Sequence, residues 1–189
     1  MPLVAPVLSA TITAGILSGG LIGPAVPKLG SGIGLGIALW VQQLKVITVD
    51  AGAAGAGKGL APLIIPQPLI MANLLAAYAV NGQLGVMAPL EASGIANGLF
   101  TGFAQGLIST THPSVGVGAA VARIMGPPAF SSLMQGFSSA GITGSSASKK
   151  ANAISMALAI VTQTLVLPVA IVGAAGSSPS SGSGFGSII

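Results

Sequence analysis

The sequence predicts a mainly α fold: three tandem helix-hairpin repeats of about 60 residues with Gly-rich extended arms, arranged about a pseudo-threefold axis. Three observations predict it. The chain aligns with itself at offsets of 62 and then 59 without gaps, bringing together Pro6, Pro68 and Pro127, then Ile12, Leu74 and Leu133, then Ile33, Ile95 and Ile154. A G-x-x-G falls at the same place in each copy, as Gly20 and Gly23, Gly82 and Gly85, Gly141 and Gly144. A row of small residues at four-residue spacing follows each of these turns.

The repeats are residues 1–66, 67–126 and 127–189, expected to form one compact domain. Each begins with a helix, near 8–19, 69–81 and 129–140, whose apolar residues recur at helical spacing, as Ile70, Leu74, Leu75 and Tyr78 do. Gly20, Gly82 and Gly141 suit the left-handed position that ends a helix. The second glycine of each pair, Gly23, Gly85 and Gly144, allows a tight reversal. Second helices are expected near 28–45, 89–108 and 149–166, begun by Pro27, by Pro89 and by Ser148 as an N-cap. After them come arms rich in Gly and small residues, expected as extended segments or short strands. The last arm, "IVGAAGSSPSSGSGFGSII", has the composition of a flexible linker. If ordered, it needs something to hold it, most simply a neighbouring subunit.

The small-residue rows are the candidate packing and assembly surfaces. In "SGIANGLFTGFAQGLIS" glycine stands at 94, 98, 102 and 106; Gly32 and Gly36 are the equivalents in the first repeat, Ala153 and Ala157 in the third. Glycine costs about 1 kcal/mol relative to alanine within a helix, so a row of them implies a close neighbour. Small residues at this spacing let two helix axes approach, in membranes or in any dense bundle. The expectation is that the second helices pack together on these rows.

Composition bounds the function. Charged residues are 4% of the chain and the mean hydropathy is +0.93, where an ordinary globular protein carries about 25% charge. Such a chain exposes apolar surface, which marks contact with proteins or membranes. The net charge of +4 comes from six dispersed basic residues, with one Trp and one Tyr for base stacking, so nucleic-acid binding is set aside. Cysteine is absent, and the N-terminal stretch lacks the basic region of a signal peptide.

Three motifs invite a chemical role and fail it. "DAGAAGAGKGLAP" places Gly52, Gly57 and Lys58 in a phosphate-loop pattern, but Gly59 stands where Ser or Thr would hold magnesium, and Pro62, Pro66 and Pro68 spoil the required helix. His112, Ser109 and Asp50 compose a hydrolytic triad on paper. Asp50 is itself the repeat equivalent of His112, which argues for a turn position. The G-x-x-G turn is shared with KH domains, whose loops are basic; here the inner residues are Leu-Ile, Gln-Leu and Ile-Thr. With two acids and one histidine in all, acid–base catalysis is hard to staff. No enzyme, cofactor, metal or small-molecule substrate is expected.

The run "TTHPSVGVGAAVARIMGPPAFSSLMQGFSSAGITGSSASKKANAIS", with the closing "GSGFGSII", resembles small Gly/Ala/Ser-rich virion structural proteins of contractile-tailed phages, of the marine cyanophage type. The resemblance implies a bacteriophage virion component in a symmetric tail or baseplate assembly, partnered by copies of itself and other virion proteins, with no catalytic residue. The alternative is a membrane-active, holin-like or pore-forming protein whose helices associate in the host membrane through the glycine rows. Against it, Asn152, Gln163, Thr164 and Pro168 interrupt the third long apolar run, and first helices of 12–13 residues span only about 20 Å.

Overall fold

The computed structural model describes residues 4–43, 45–52, 57–64, 66–104, 107–112, 117–125, 129–164, 167–173 and 180–188, with side chains over 5–43, 66–104 and 129–160. Two helices are followed by two strands, three times over. The first set is α1 (Val4–Ser18), α2 (Ala25–Gln42), β1 (Lys45–Gly52) and β2 (Gly57–Ile64). The second is α3 (Gln67–Val80), α4 (Met87–Phe103), β3 (Leu107–His112) and β4 (Val117–Met125). The third is α5 (Phe130–Ser139), α6 (Ser145–Thr164), β5 (Leu167–Gly173) and β6 (Ser180–Ile188). Helix is the major secondary structure.

The expectation of one compact domain gives way to two compact units, each made of three separate stretches. Residues 1–41, 66–102 and 127–161 form a helical unit; residues 42–65, 103–126 and 162–189 form a strand unit.

The helical unit contains three helix pairs, each joined by the same turn. The amide of Leu21 donates to the carbonyl of Ile16 at 3.2 Å and that of Gly20 to Leu17 at 2.9 Å. Gln83 and Gly82 repeat the pair on Tyr78 and Ala79, and Ile142 and Gly141 repeat it on Phe137 and Ser138. These are the paired 6→1 and 5→2 bonds of a Schellman ending, which needs a left-handed residue; Gly20, Gly82 and Gly141 have φ of 81°, 69° and 75°. Three residues on, the carbonyls of Gly23, Gly85 and Gly144 accept from Val26, Ala88 and Ser148 and open the next helix. The second helices therefore start at residues 25, 87 and 145, earlier than expected, with Pro27 and Pro89 in the first turn, where no intrahelical amide bond is lost. Ser148 lies inside α6 and donates its Oγ to the carbonyl of Ser145. It is no N-cap.

The core of this unit takes the aligned positions of the three segments. Ile12, Leu74 and Leu133, with Ile16, Tyr78 and Phe137, are buried on the first helices; Ile33, Ile95 and Ile154 are buried on the second. Each such aliphatic side chain contributes roughly 1.5–3 kcal/mol of burial.

The arms form strands, closed into a barrel in the order β1-β2-β3-β4-β5-β6 with every pair antiparallel. The second helices end earlier than the apolar pattern suggests, because the strands begin at Lys45, Leu107 and Leu167. The Ser/Gly tail needs no neighbouring subunit to order it: β6 runs between β1 and β5, with Thr48 opposite Gly184 on one side and Ile171 opposite Gly186 on the other. A sheet that closes on itself satisfies backbone groups that a lone Gly-rich strand would leave unpaired.

Candidate functional site

The glycine rows are contact surfaces within the chain. A Cβ added to Gly32 would come within 2.7 Å of the Tyr78 ring, and one on Gly36 within 2.8 Å of the Leu74 Cα. On α4 the same holds for Gly94 against Phe137 at 3.0 Å and Gly98 against the Leu133 Cα at 2.7 Å. The third contact runs between α6 and α1, where a Cβ on Gly15 would lie 2.8 Å from that of Ala153. So α2 packs on α3, α4 on α5, and α6 on α1. Each row of a second helix meets a first helix; the expectation that second helices meet one another on these rows is corrected. The reason is size: Tyr78, Leu74, Phe137 and Leu133 need the room that glycine leaves.

Gly102 is half-buried near the end of α4, and Gly106 lies outside the described residues. A second glycine face escapes a search at four-residue spacing from Gly32. Gly30 lies directly against Thr13, and Gly34 against the backbone of Ser9, both on α1. In "GSGIGLG" glycine falls at every second residue, and two steps of a helix turn about 200°, so α2 is bare on opposite sides. That alternation is the signal in the sequence.

At the turn end of the unit stands its one described ion pair, Lys150 Nζ donating to Glu91 Oε2 at 2.7 Å, with side chains 15% and 10% exposed. Tyr78 donates its hydroxyl to Glu91 Oε1 at 3.5 Å. Burial, then the charge of Glu91, then that hydrogen bond hold the Tyr78 phenol well above its ordinary pKa of 10.0. Three helices, α3, α4 and α6, meet in this cluster. Neither the repeat nor composition singled it out.

The other sequence motifs separate. Lys58 lies in a strand, paired with Ala51 and with Thr111; a strand, with no helix N-terminus, follows the glycines of the phosphate-loop lookalike, and its residues 53–56 lie outside the described residues. Asp50 is on β1 and His112 on β3, strands kept apart by β2. Among the described residues no three or more of His, Asp and Glu cluster as metal ligands. An open groove of about 330 Å³ is lined by Gly19, Phe130, Ser148, Lys149 and Asn152, which offer it no acid or imidazole. The chain matches no known protein family, no curated protein and no solved structure.

Proposed function

We propose that the chain is a structural component of a tailed-phage virion, built into a symmetric tail or baseplate-type assembly with copies of itself and other virion proteins, and that it performs no catalysis. The observation that carries the reading is the cyclic order of the three close contacts, α2 on α3, α4 on α5 and α6 on α1, in a chain with 4% charged residues. Three sequence-related segments joined head to tail in this way compose a pseudo-threefold part, which fits the axis of a threefold or sixfold ring. A surface so poor in charge favours burial against neighbours.

The holin-like or pore-forming alternative asks the glycine rows to join separate chains in a bilayer. Those rows already face helices of the same chain, and among the described residues no helix is long and apolar enough to cross a membrane.

Mass spectrometry of purified particles beside the membrane fraction of the producing cells tests the proposal. Recovery in particles at fixed stoichiometry, resistant to salt, supports it. Recovery only in membranes, released by detergent but not by carbonate, overturns it. Because Gly98 and its relatives are used inside the fold, their substitution reports on folding and is a poor probe of assembly.

A further inference from the structure

The three hairpin turns lie at one end of the helical unit. Gln83 of the second turn donates to the carbonyl of Ala25 at the start of α2 at 3.3 Å, Lys149 at the start of α6 lies against Gly19 of the first turn, and Lys150 joins Glu91 across α6 and α4. This end is unlike the rest of the unit in two ways. Its tips are aliphatic and nearly bare: Ile22 is 87% exposed, Leu84 80% and Val86 91%, with Val80 and Met87 beside them. It also holds every charged residue of the helical unit, Lys28, Glu91, Lys149 and Lys150, three positive charges against one negative.

We propose that this turn end is a docking surface for an anionic lipid bilayer, entered by the tips of the first two turns and held by Lys28 and Lys149 behind them, Lys150 being engaged by Glu91. Aliphatic tips on protruding turns sink a few ångströms past the headgroups, and lysine stems extend so that their ammonium groups stay at that level. Each lysine near an anionic leaflet is drawn to its negative potential. Charge disfavours a second copy meeting this end face to face, since Lys28 and Lys149, the two lysines not paired with Glu91, would confront the same two. Composition disfavours a protein partner: the exposed tips carry no aromatic and no arginine, the residues that anchor protein interfaces, and lysine is depleted there. The third turn carries Ser139, Thr143 and Ser145 where the second carries Val80, Leu84 and Val86, so contact is lopsided, made by turns one and two. No helix spans the bilayer in this mode. It holds whether or not the chain is a virion part.

The test is flotation of the full-length protein with vesicles of phosphatidylcholine alone and of phosphatidylcholine with phosphatidylglycerol. Binding to the anionic vesicles, weakened at high salt and by about tenfold or more in L84S/V86S, is the expected result, since removing two aliphatic tips removes well over one tenfold step in partitioning. The control F100S/M156S removes exposed apolar side chains from other parts of α4 and α6 and should leave binding unchanged. Circular dichroism of each variant checks that the helices persist. Absence of binding to anionic vesicles overturns the proposal, as does equal loss in both double variants. So does a change in sedimentation of L84S/V86S without lipid, which assigns the tips to a protein contact.

Discussion

Glycines 98 and 85 show what a single methyl group does in two settings. At Gly98 an added Cβ would meet the Leu133 Cα at 2.7 Å, backbone that cannot swing away, whereas at Gly85 it meets nothing within 4 Å and φ is not positive. Gly98→Ala is expected to destabilise the protein by about 1–3 kcal/mol through overpacking. Gly85→Ala should be neutral or stabilise by about 0.5 kcal/mol, by restricting the unfolded chain; chemical denaturation followed by circular dichroism separates the two. Tyr78 gives a prediction in pH. In the unfolded chain its phenol ionises near pH 10, while in the fold burial and Glu91 keep it protonated to higher pH. Above pH 10 the unfolded state therefore sheds a proton that the folded state retains. The stability due to the neutral phenol is full below about pH 10 and is lost as pH rises toward the folded value. Tyr78→Phe should flatten the alkaline fall of the thermal midpoint. At this scale the sequence was informative about demand and silent about supply: spacing showed that Gly32, Gly36, Gly94 and Gly98 needed a close neighbour, but nothing local identified Tyr78 or Leu133 as that neighbour.

The helices and turns were the most legible elements. Glycines 20, 82 and 141 carry a backbone requirement that few other residues meet, so three Schellman endings could be read from three letters. Helix ends were less legible, since the start of a strand is set by a partner far along the chain. The ion pair between α4 and α6 was hidden for another reason. Glu91 and Lys150 are equivalent positions under the offset of 59, and their equivalent in the first segment is Leu29, so the alignment shows three dissimilar residues where the fold brings two of them together. Removing one partner strands the other in a site that is 10–15% exposed. Lys150→Met should cost about 3 kcal/mol. The double substitution E91L/K150L, which copies Leu29 into both places, should recover most of that loss or exceed the original stability, as a denaturation series on the singles and the double would show. Recovery would assign the pair to fixing the order of the helices.

For the whole molecule, scarcity of charge drew attention to contact surface, while the division into two units was invisible. Each unit gathers its parts from three places, and the chain passes between them after every helix pair and after the first two strand pairs. No local propensity encodes such an exchange; only the alternation of apolar helices with Gly-rich arms hinted at it. A chain ended before Ser180 should lose cooperative unfolding of the strand unit and aggregate, because β1 and β5 would then be open edges. Light scattering alongside the full chain checks this.

The pairing of β1 with β6 has a consequence for synthesis. The first strand leaves the ribosome well over a hundred residues before the last, an interval on the order of ten seconds at about 5–20 residues per second. Through that interval one side of Lys45–Gly52 has no partner from its own chain, and α1 likewise waits for the Ala153 face of α6. Nascent chains on neighbouring ribosomes would expose the same two unfinished seams at the same time. Sequence-related segments can satisfy them in trans, so crowding on a polysome selects between a closed monomer and strands traded among siblings. The alanines at 153 and 157, where the other segments have glycine, make the closing helix contact unlike the other two, and so favour the copy of α1 made for it.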